Sequence, residues 1–145
     1  MNLALNVHLI QSDSAIVRFE MRAPKQLEFA NGNQEFPEGI EIEVFEKDGE
    51  LSTTLRADRG FFSKKDNVWR GEGNVQVHNL IKDQRLQSEE LFWEPNKRIY
   101  TEKFVTVQNG ESLFNGTGLE ADETFTNYSL KNPRDSRILV TGEGL

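Results

Sequence analysis

The 145-residue sequence predicts an all-β fold, a long antiparallel meander folded over itself. Three observations carry that reading. Apolar and polar residues alternate with period two from end to end, turn-forming residues recur at short intervals, and the chain repeats itself. No stretch keeps a helical period, so no helix of any length is expected.

The alternation is clearest where charged residues separate the apolar ones. Val17, Phe19, Met21 and Ala23 alternate with Arg18, Glu20 and Arg22, and Ile40, Ile42 and Val44 alternate with Glu41 and Glu43. Val75 and Val77 flank Gln76. Such segments are half-buried antiparallel strands, with one face in the core and one in water. The punctuation between strands is Asn31-Gly32-Asn33, Pro37-Glu38-Gly39, Lys47-Asp48-Gly49, Lys65-Asp66-Asn67, Pro95-Asn96-Lys97 and Asn109-Gly110. Gly and Asn tolerate positive φ, which tight hairpins need.

The repeat links these strands. Leu55 to Asn79 reads LRADRGFFSKKDNVWRGEGNVQVHN, and Leu86 to Asn109 reads LQSEELFWEPNKRIYTEKFVTVQN. Ala57 aligns with Ser88, Phe61-Phe62 with Phe92-Trp93, and Val68-Trp69 with Ile99-Tyr100; one residue is then dropped, and Val75 and Val77 align with Val105 and Val107. Fainter copies begin at Phe114 and Phe19. Each unit is a small-residue strand, an aromatic strand end, a polar turn and a return strand ending in Val-x-Val. One unit cannot bury its own apolar side, so the units stack into one continuous sheet. The glycines of Gly71-Glu72-Gly73 and Gly116-Thr117-Gly118 sit where strands bulge or backbones approach closely, and they suit a strongly curved sheet.

Composition removes several functions. One domain, residues 1–145, is expected from the length. With 17 basic and 24 acidic residues the net charge is −7, which disfavours nucleic acid and direct docking on an anionic membrane leaflet. The mean hydropathy of −0.63 and the absence of any long apolar run leave no bilayer-spanning segment in the sequence. No cysteine is present, which excludes thiol catalysis, thiolate zinc sites and disulfides.

Catalytic chemistry is weakly represented. The histidines are isolated: His8 lies near a start expected to fray, and His78 ends a strand, so both read as solvated residues. There is no His pair at metal spacing, no nucleophile elbow and no phosphate-binding glycine loop, and neither a metal nor a cofactor is expected. Glu41 with Glu43, Glu89 with Glu90, and Asp122 with Glu123 offer paired carboxylates, but a charged outer face that keeps the sheet soluble is the simpler role. No catalytic residue is assigned.

What remains is apolar. Phe19, Met21, Ile42, Val44, Leu55, Phe62, Trp69, Val75, Val77, Leu91, Trp93, Ile99, Val105, Val107 and Leu119 form the expected inner face. Any one of them could simply fill a core. As a set, with no helix to cover it, this face closes on a second layer or stays open as a trough for an apolar ligand. Leu91-Phe92-Trp93 breaks the pattern by placing three bulky groups in a row. We expect a bend at this strand end to carry successive residues into one interior, with one ring sealing the wall between strands and another facing the trough.

Four stretches carry a family resemblance. SDSAIVRFEMRAP (Ser12 to Pro24), EFPEGIEIEVFEKDGELSTTLRAD (Glu35 to Asp58), VWRGEGNVQVHN (Val68 to Asn79) and LQSEELFWEPNKRIYTEKFVTV (Leu86 to Val107) resemble LptC, the periplasmic component of bacterial lipopolysaccharide export, in the form found in Bacteroidetes. The resemblance implies an antiparallel β-jellyroll shaped like a twisted boat, whose interior holds the acyl chains of lipid A. It implies a periplasmic location and an N-terminal inner-membrane anchor, which would precede Met1. It also implies docking at both ends of the sheet by strand addition, to inner-membrane ABC transporter subunits at one edge and an LptA-like bridge protein at the C-terminal edge. Val7 and Leu9 mark the first edge here, and Ile138 and Val140 the last.

Without a nucleotide site, the chain reads as a passive conduit that passes lipopolysaccharide along. The alternative is a carbohydrate-binding or adhesive β-sandwich, with Trp69 or Tyr100 on a flat outer platform over a closed interior. A glycoside hydrolase fragment using Glu89 or Glu90 is a third, remote reading, because the loops are too short to build a catalytic site.

Overall fold

Alternating strands and tight turns leave the chain little choice but to run back and forth. In the computed structural model, which describes residues 1–13, 16–123 and 127–133, it does so as one antiparallel sheet. The strands are β1 (Asn2–Asp13), β2 (Ile16–Glu28), β3 (Gln34–Phe36), β4 (Ile40–Phe45), β5 (Leu51–Ala57), β6 (Arg59–Ser63), β7 (Val68–Asn79), β8 (Gln84–Glu94), β9 (Arg98–Asn109), β10 (Ser112–Ala121) and β11 (Tyr128–Leu130). No described residue is helical. The predicted all-β jellyroll is the fold observed. All six predicted turns form, and each contains a positive-φ residue: Gly32, Gly39, Gly49, Asn67, Asn96 and Gly110.

The register simplifies the topology. β3 and β4 both pair with β2 along the same side, and β5 and β6 both pair with β7, so each couple is one line broken in the middle. The break recurs across the sheet. β5–β6 skips Asp58, the β7–β8 register shifts between Glu72 and Val75, β8–β9 between Ser88 and Phe92, and β9–β10 between Thr117 and Leu119. Pro24, Gly39, Gly73, Asn74 and Gly118 lie on this line, and Asn6 stands opposite Pro24 with φ +54°. A proline has no N–H for the ladder, and a positive φ turns the chain sharply, so the line is a crease.

The sheet folds along it into two facing layers. One holds the first half of β2 with β4, β5 and the Val75–Asn79 end of β7; the other holds β3, β6 and the Val68–Glu72 end. Near the crease the layers pack backbone to side chain. A Cβ on Gly60 would lie 2.8 Å from Ile40 Cγ2, and one on Gly71 would lie 3.0 Å from the Ala57 methyl.

The crease also sets parity, because a register slip of one residue reverses every side chain. In β8, Leu86 and Ser88 point inward before the crease and Leu91 and Trp93 after it, so the bulge has moved the inward set by one residue. Leu91 and Trp93 are both 3% exposed, whereas Phe92 is half-buried on the other face. The expected bend at this strand end is therefore absent: alternation continues through Leu91-Phe92-Trp93, and the irregularity lies upstream. Phe92 instead stacks on Tyr100 of β9 at 5.1 Å between centroids and 10° between planes.

The repeat holds with one correction. Phe62 pairs with Trp69 and Trp93 with Ile99, so the structural partner of Trp69 is Ile99, not Tyr100. The dropped residue sits in the turn, four residues long at Lys64–Asn67 and three at Pro95–Lys97, rather than after the aromatic pair.

Gly60→Ala is expected to destabilise the fold by about 1–3 kcal/mol, because the new methyl overpacks Ile40. In an Ile40→Ala background that cost should fall to near zero or reverse. Urea midpoints of the four proteins in this cycle measure both effects.

Candidate functional site

Rows of paired residues crossing the sheet build the inner surface. One inner row runs Gln34, Phe62, Trp69, Trp93, Ile99 and Ala121 across β3, β6, β7, β8, β9 and β10. Beside it on the outer face runs Glu35, Phe61, Arg70, Phe92, Tyr100 and Glu120. Alternation thus places a cluster of large rings inside and an aromatic row interleaved with charge outside.

The structure puts the sequence-predicted apolar set on the inner face. Met21, Ile42, Leu55, Val75, Val77, Ile99, Val105, Val107 and Leu119 are buried, as are Phe19, Trp69, Leu91 and Trp93. Val44 and Phe62 are half-buried and pack against that core. Next to the crease the filling is dense: between Ile42, Leu55, Trp69, Val75, Leu91 and Trp93 only about 30 Å³ is open. A dry apolar void of that size has no room for a ligand.

The lips of the folded sheet, away from the crease, are different. Phe19 of one layer meets Trp93 of the other edge-on at 5.1 Å and Trp69 at 6.1 Å; Trp69 stacks on Trp93 at 6.2 Å and touches Phe62 at 4.6 Å. Over these rings opens a cavity of about 430 Å³, with Leu9, Val44 and Phe62 in its walls and Arg18, Gln34, Asn67 and Asn96 around it. Polar contacts tie the lips together. Arg18 Nη2 donates to Asn96 Oδ1 at 3.3 Å, from β2 to the β8–β9 turn. Glu123 accepts from Trp93 Nε1 at 2.7 Å and from the Asn96 amide at 2.9 Å.

β1 forms a second apolar surface. Val7 and Leu9 pair with Ala23 and Met21, whose side chains are in the core, so they face inward too. Beyond Asn6, Leu3 pairs with Leu27 and Leu27 with Glu35 of the outer row, so Leu3 and Leu5 face outward, and they are 58% and 65% exposed. Among the described residues β1 pairs only with β2, so its far edge offers a ladder of backbone groups. The predicted fraying is not seen: β1 is a twelve-residue strand. Ile138 and Val140 lie outside the described residues.

The outer face is a network of balanced charge. Arg22 pairs with Glu43 at 2.6 Å, and Arg70 with Glu72 at 2.7 Å and Glu90 at 3.3 Å. The Arg59 hydrogen bond and the Arg70 charge hold the Glu72 carboxyl below the usual range. Burial, then the nearby Glu94 charge, push the Tyr100 hydroxyl up, and the Glu94 hydrogen bond raises Arg98. The guanidinium of Arg70 lies over Phe61 and that of Arg98 over Tyr100, each 4.1 Å from the ring centre. His8 bonds Glu20 at 3.2 Å and His78 bonds Asp83 at 3.3 Å, both in solvent-facing positions. Trp69 is inside and Tyr100 is covered by Phe92 and Arg98, so the outer aromatic platform that a glycan-binding module needs is not formed by these rings.

A folded sheet with an apolar inside and an irregular edge at β1 now has a match among known families. Residues 6–133 match the family described as lipopolysaccharide-assembly, LptC-related. The chain belongs to the LptC family. Membership gives it a role in lipopolysaccharide transport and outer-membrane biogenesis, in a transport-associated family of the periplasm and inner membrane. Comparison with curated proteins finds no match. Among the described residues of this LptC-family chain, no group of His, Cys, Asp or Glu could hold a metal ion, and no helix is long and apolar enough to cross a membrane. Sequence reasoning missed Glu123 as the partner of Trp93, since nothing local links residues thirty positions apart.

Glu123→Ala should cost about 1–3 kcal/mol, because it leaves the Trp93 indole N–H without an acceptor. Faster hydrogen exchange at that indole should accompany the loss. The Glu72 carboxyl has a folded pKa below its ordinary 4.5, so its contribution is present at neutral pH and disappears as pH falls below about 4.5 toward the lowered value. Stability should therefore drop more steeply with acid in the native chain than in Glu72→Gln, as read by urea midpoints at neutral and acidic pH.

Proposed function

We propose that the chain, acting as one domain over residues 1–145, is a non-catalytic conduit that takes the acyl chains of lipid A between its layers. It passes lipopolysaccharide from the inner-membrane transporter toward a periplasmic bridge protein. The observation that carries this reading is the inner face, apolar from β2 to β10 and opening at its lips into an aromatic-floored cavity of about 430 Å³. Each methylene moved from water into such a surface contributes roughly 0.8 kcal/mol, so a single acyl chain has ample drive to enter. Because the crease region is already filled, entry would part the lips, where Arg18–Asn96 and the Phe19–Trp93 contact span the two layers. A single exposed hydrogen bond and the two edge-on contacts of Phe19 with Trp93 and Trp69 are weak enough to open thermally.

The edges support the rest. β1 leaves leucines exposed, Leu9 on its inner side and Leu3 and Leu5 on its outer side, and an unpaired backbone edge, which together suit strand addition by a partner with a similar sheet. In this reading Val7 and Leu9 belong to the transporter-side joint. Ile138 and Val140 belong to the joint with an LptA-like protein, at the periplasmic end of a chain held at the inner membrane.

A photoactivatable residue placed at Phe19, Val44 or Trp93 should capture lipopolysaccharide in cells that make it, and one placed at Phe61 or Gln76 on the outer face should not. Equal labelling from both faces, or none from the inner one, would defeat the conduit reading. Leu5→Asp with Leu9→Asp should leave the fold intact, since both side chains are exposed, yet abolish co-purification of the transporter subunits.

A further inference from the structure

The ion-pair network of the outer face stops partway across the first layer. On β2 and β4 the outward residues include Glu20, Glu41 and Glu43. Level with them on the next strands the register sets Thr54, His78, Arg85 and Gln108 in one outward row across β5, β7, β8 and β9. Arg56, Gln76, Gln87 and Thr106 form the row beside it. These two rows hold no carboxylate, no lysine and no apolar side chain, in a chain with 24 acidic residues and a net charge of −7. A face meant only for solvent carries lysine and glutamate, whereas loss of Lys, Glu and Asp with arginine kept is the composition of an interaction surface.

The two rows border a trough of about 350 Å³, whose remaining lining is Val77 and Leu86, both with side chains buried on the opposite face. That is the size of a small-ligand site. Internal hydrogen bonds hold the array in place. Gln76 and Gln87 each donate Nε2 to Asn74 Oδ1 at 3.1 Å, Gln108 Nε2 donates to the Gly110 carbonyl at 3.2 Å, and Thr106 Oγ1 donates to Asn115 Oδ1 at 2.8 Å. Each amide is thereby fixed while its carbonyl oxygen stays open to a ligand.

The two arginines differ. Arg56 is held by Asp58 at 2.8 Å and by the Asn74 carbonyl at 2.6 Å, and His78 bonds Asp83 at 3.3 Å. Arg85 is exposed and has neither an ion pair nor a hydrogen bond to another side chain among the described residues. The trough therefore offers fixed amide oxygens and one uncommitted cation. Without an apolar side chain it lacks the core of a protein interface. Hydroxyl groups, which both donate and accept, fit the amides, and an anionic substituent fits Arg85.

We propose that this trough binds an acidic oligosaccharide, with Gln76, Gln87 and Gln108 accepting from sugar hydroxyls and Arg85 taking the carboxylate or phosphate. The trough lies on the opposite side of the first layer from the lip cavity, so its ligand is separate from the lipid. The assignment does not rest on the conduit reading.

The test follows the Arg85 Nε–H and the glutamine side-chain amide signals of the ¹⁵N-labelled full chain as tetragalacturonic acid, glucose 6-phosphate or neutral maltotetraose is added. At least one acidic sugar should move these signals, and bind more tightly than maltotetraose. Arg85→Ala, which removes an exposed side chain without a partner, should weaken that binding about tenfold and erase the preference for charge, while Arg22→Ala on the same face changes neither. If neither acidic sugar moves the signals, or Arg85→Ala binds them as well as the native chain, the assignment fails. Shifts that follow protein concentration alone would make the patch a contact between copies of the chain and overturn it. If lipopolysaccharide in dodecyl maltoside micelles moves the same signals, the sugar belongs to the lipid itself and the separate ligand is ruled out.

Discussion

The crease is the constraint on which the rest depends. A twisted antiparallel meander with one apolar face has to cover that face, and this chain has no helix to do it. It covers the face with itself. That requires the long strands to bend at the same level, and local devices sit there: Asn6 in β1, Pro24 in β2, Gly39 between β3 and β4, Gly73 and Asn74 in β7, the shift after Ser88 in β8, and Gly118 in β10. Closeness of the layers then depends on missing side chains, with Gly60 under Ile40 and Gly71 under Ala57. The proposed function uses the same geometry, in which a sheet folded along one line is filled at the crease and bridged by few contacts at the lips.

Much of this was legible in the sequence. Turns were readable because Asn-Gly and Asp-Gly announce positive φ locally, and the inner face because alternation is local too. The crease was not. Gly71-Glu72-Gly73 and Gly116-Thr117-Gly118 marked irregular places, but nothing along the chain says that they align across neighbouring strands. The same blindness misplaced the repeat, pairing Trp69 with Tyr100 when the extra residue of the longer turn had already shifted parity. Leu91-Phe92-Trp93 was misjudged for the opposite reason. The run has no bend; its middle ring belongs to an outer row that only cross-strand register assembles, with Tyr100 on one side and Arg70 on the other.

The site was half legible. Residue types and face could be read, but the difference between a filled crease and an open lip could not, because both are made of the same apolar residues. That difference depends on which rings meet across the fold. Phe19 reaches Trp69 and Trp93 from the opposite layer, and Glu123 reaches Trp93 from a distant turn. The result is an interior with a graded character, from packed aliphatic core at the crease to loosely bridged aromatics at the mouth. On the outer face, by contrast, Phe61 and Tyr100 are capped by arginines, and Arg22–Glu43 and Arg70–Glu90 are paired.

The most direct measurement is native mass spectrometry of the protein purified gently from a cell that makes lipopolysaccharide. The account predicts a species carrying one lipopolysaccharide molecule, which disappears when Phe19 and Trp93 at the lips are both replaced by aspartate in a chain that still folds. A protein that emerges without lipid, or that carries lipid regardless of those two side chains, would contradict it.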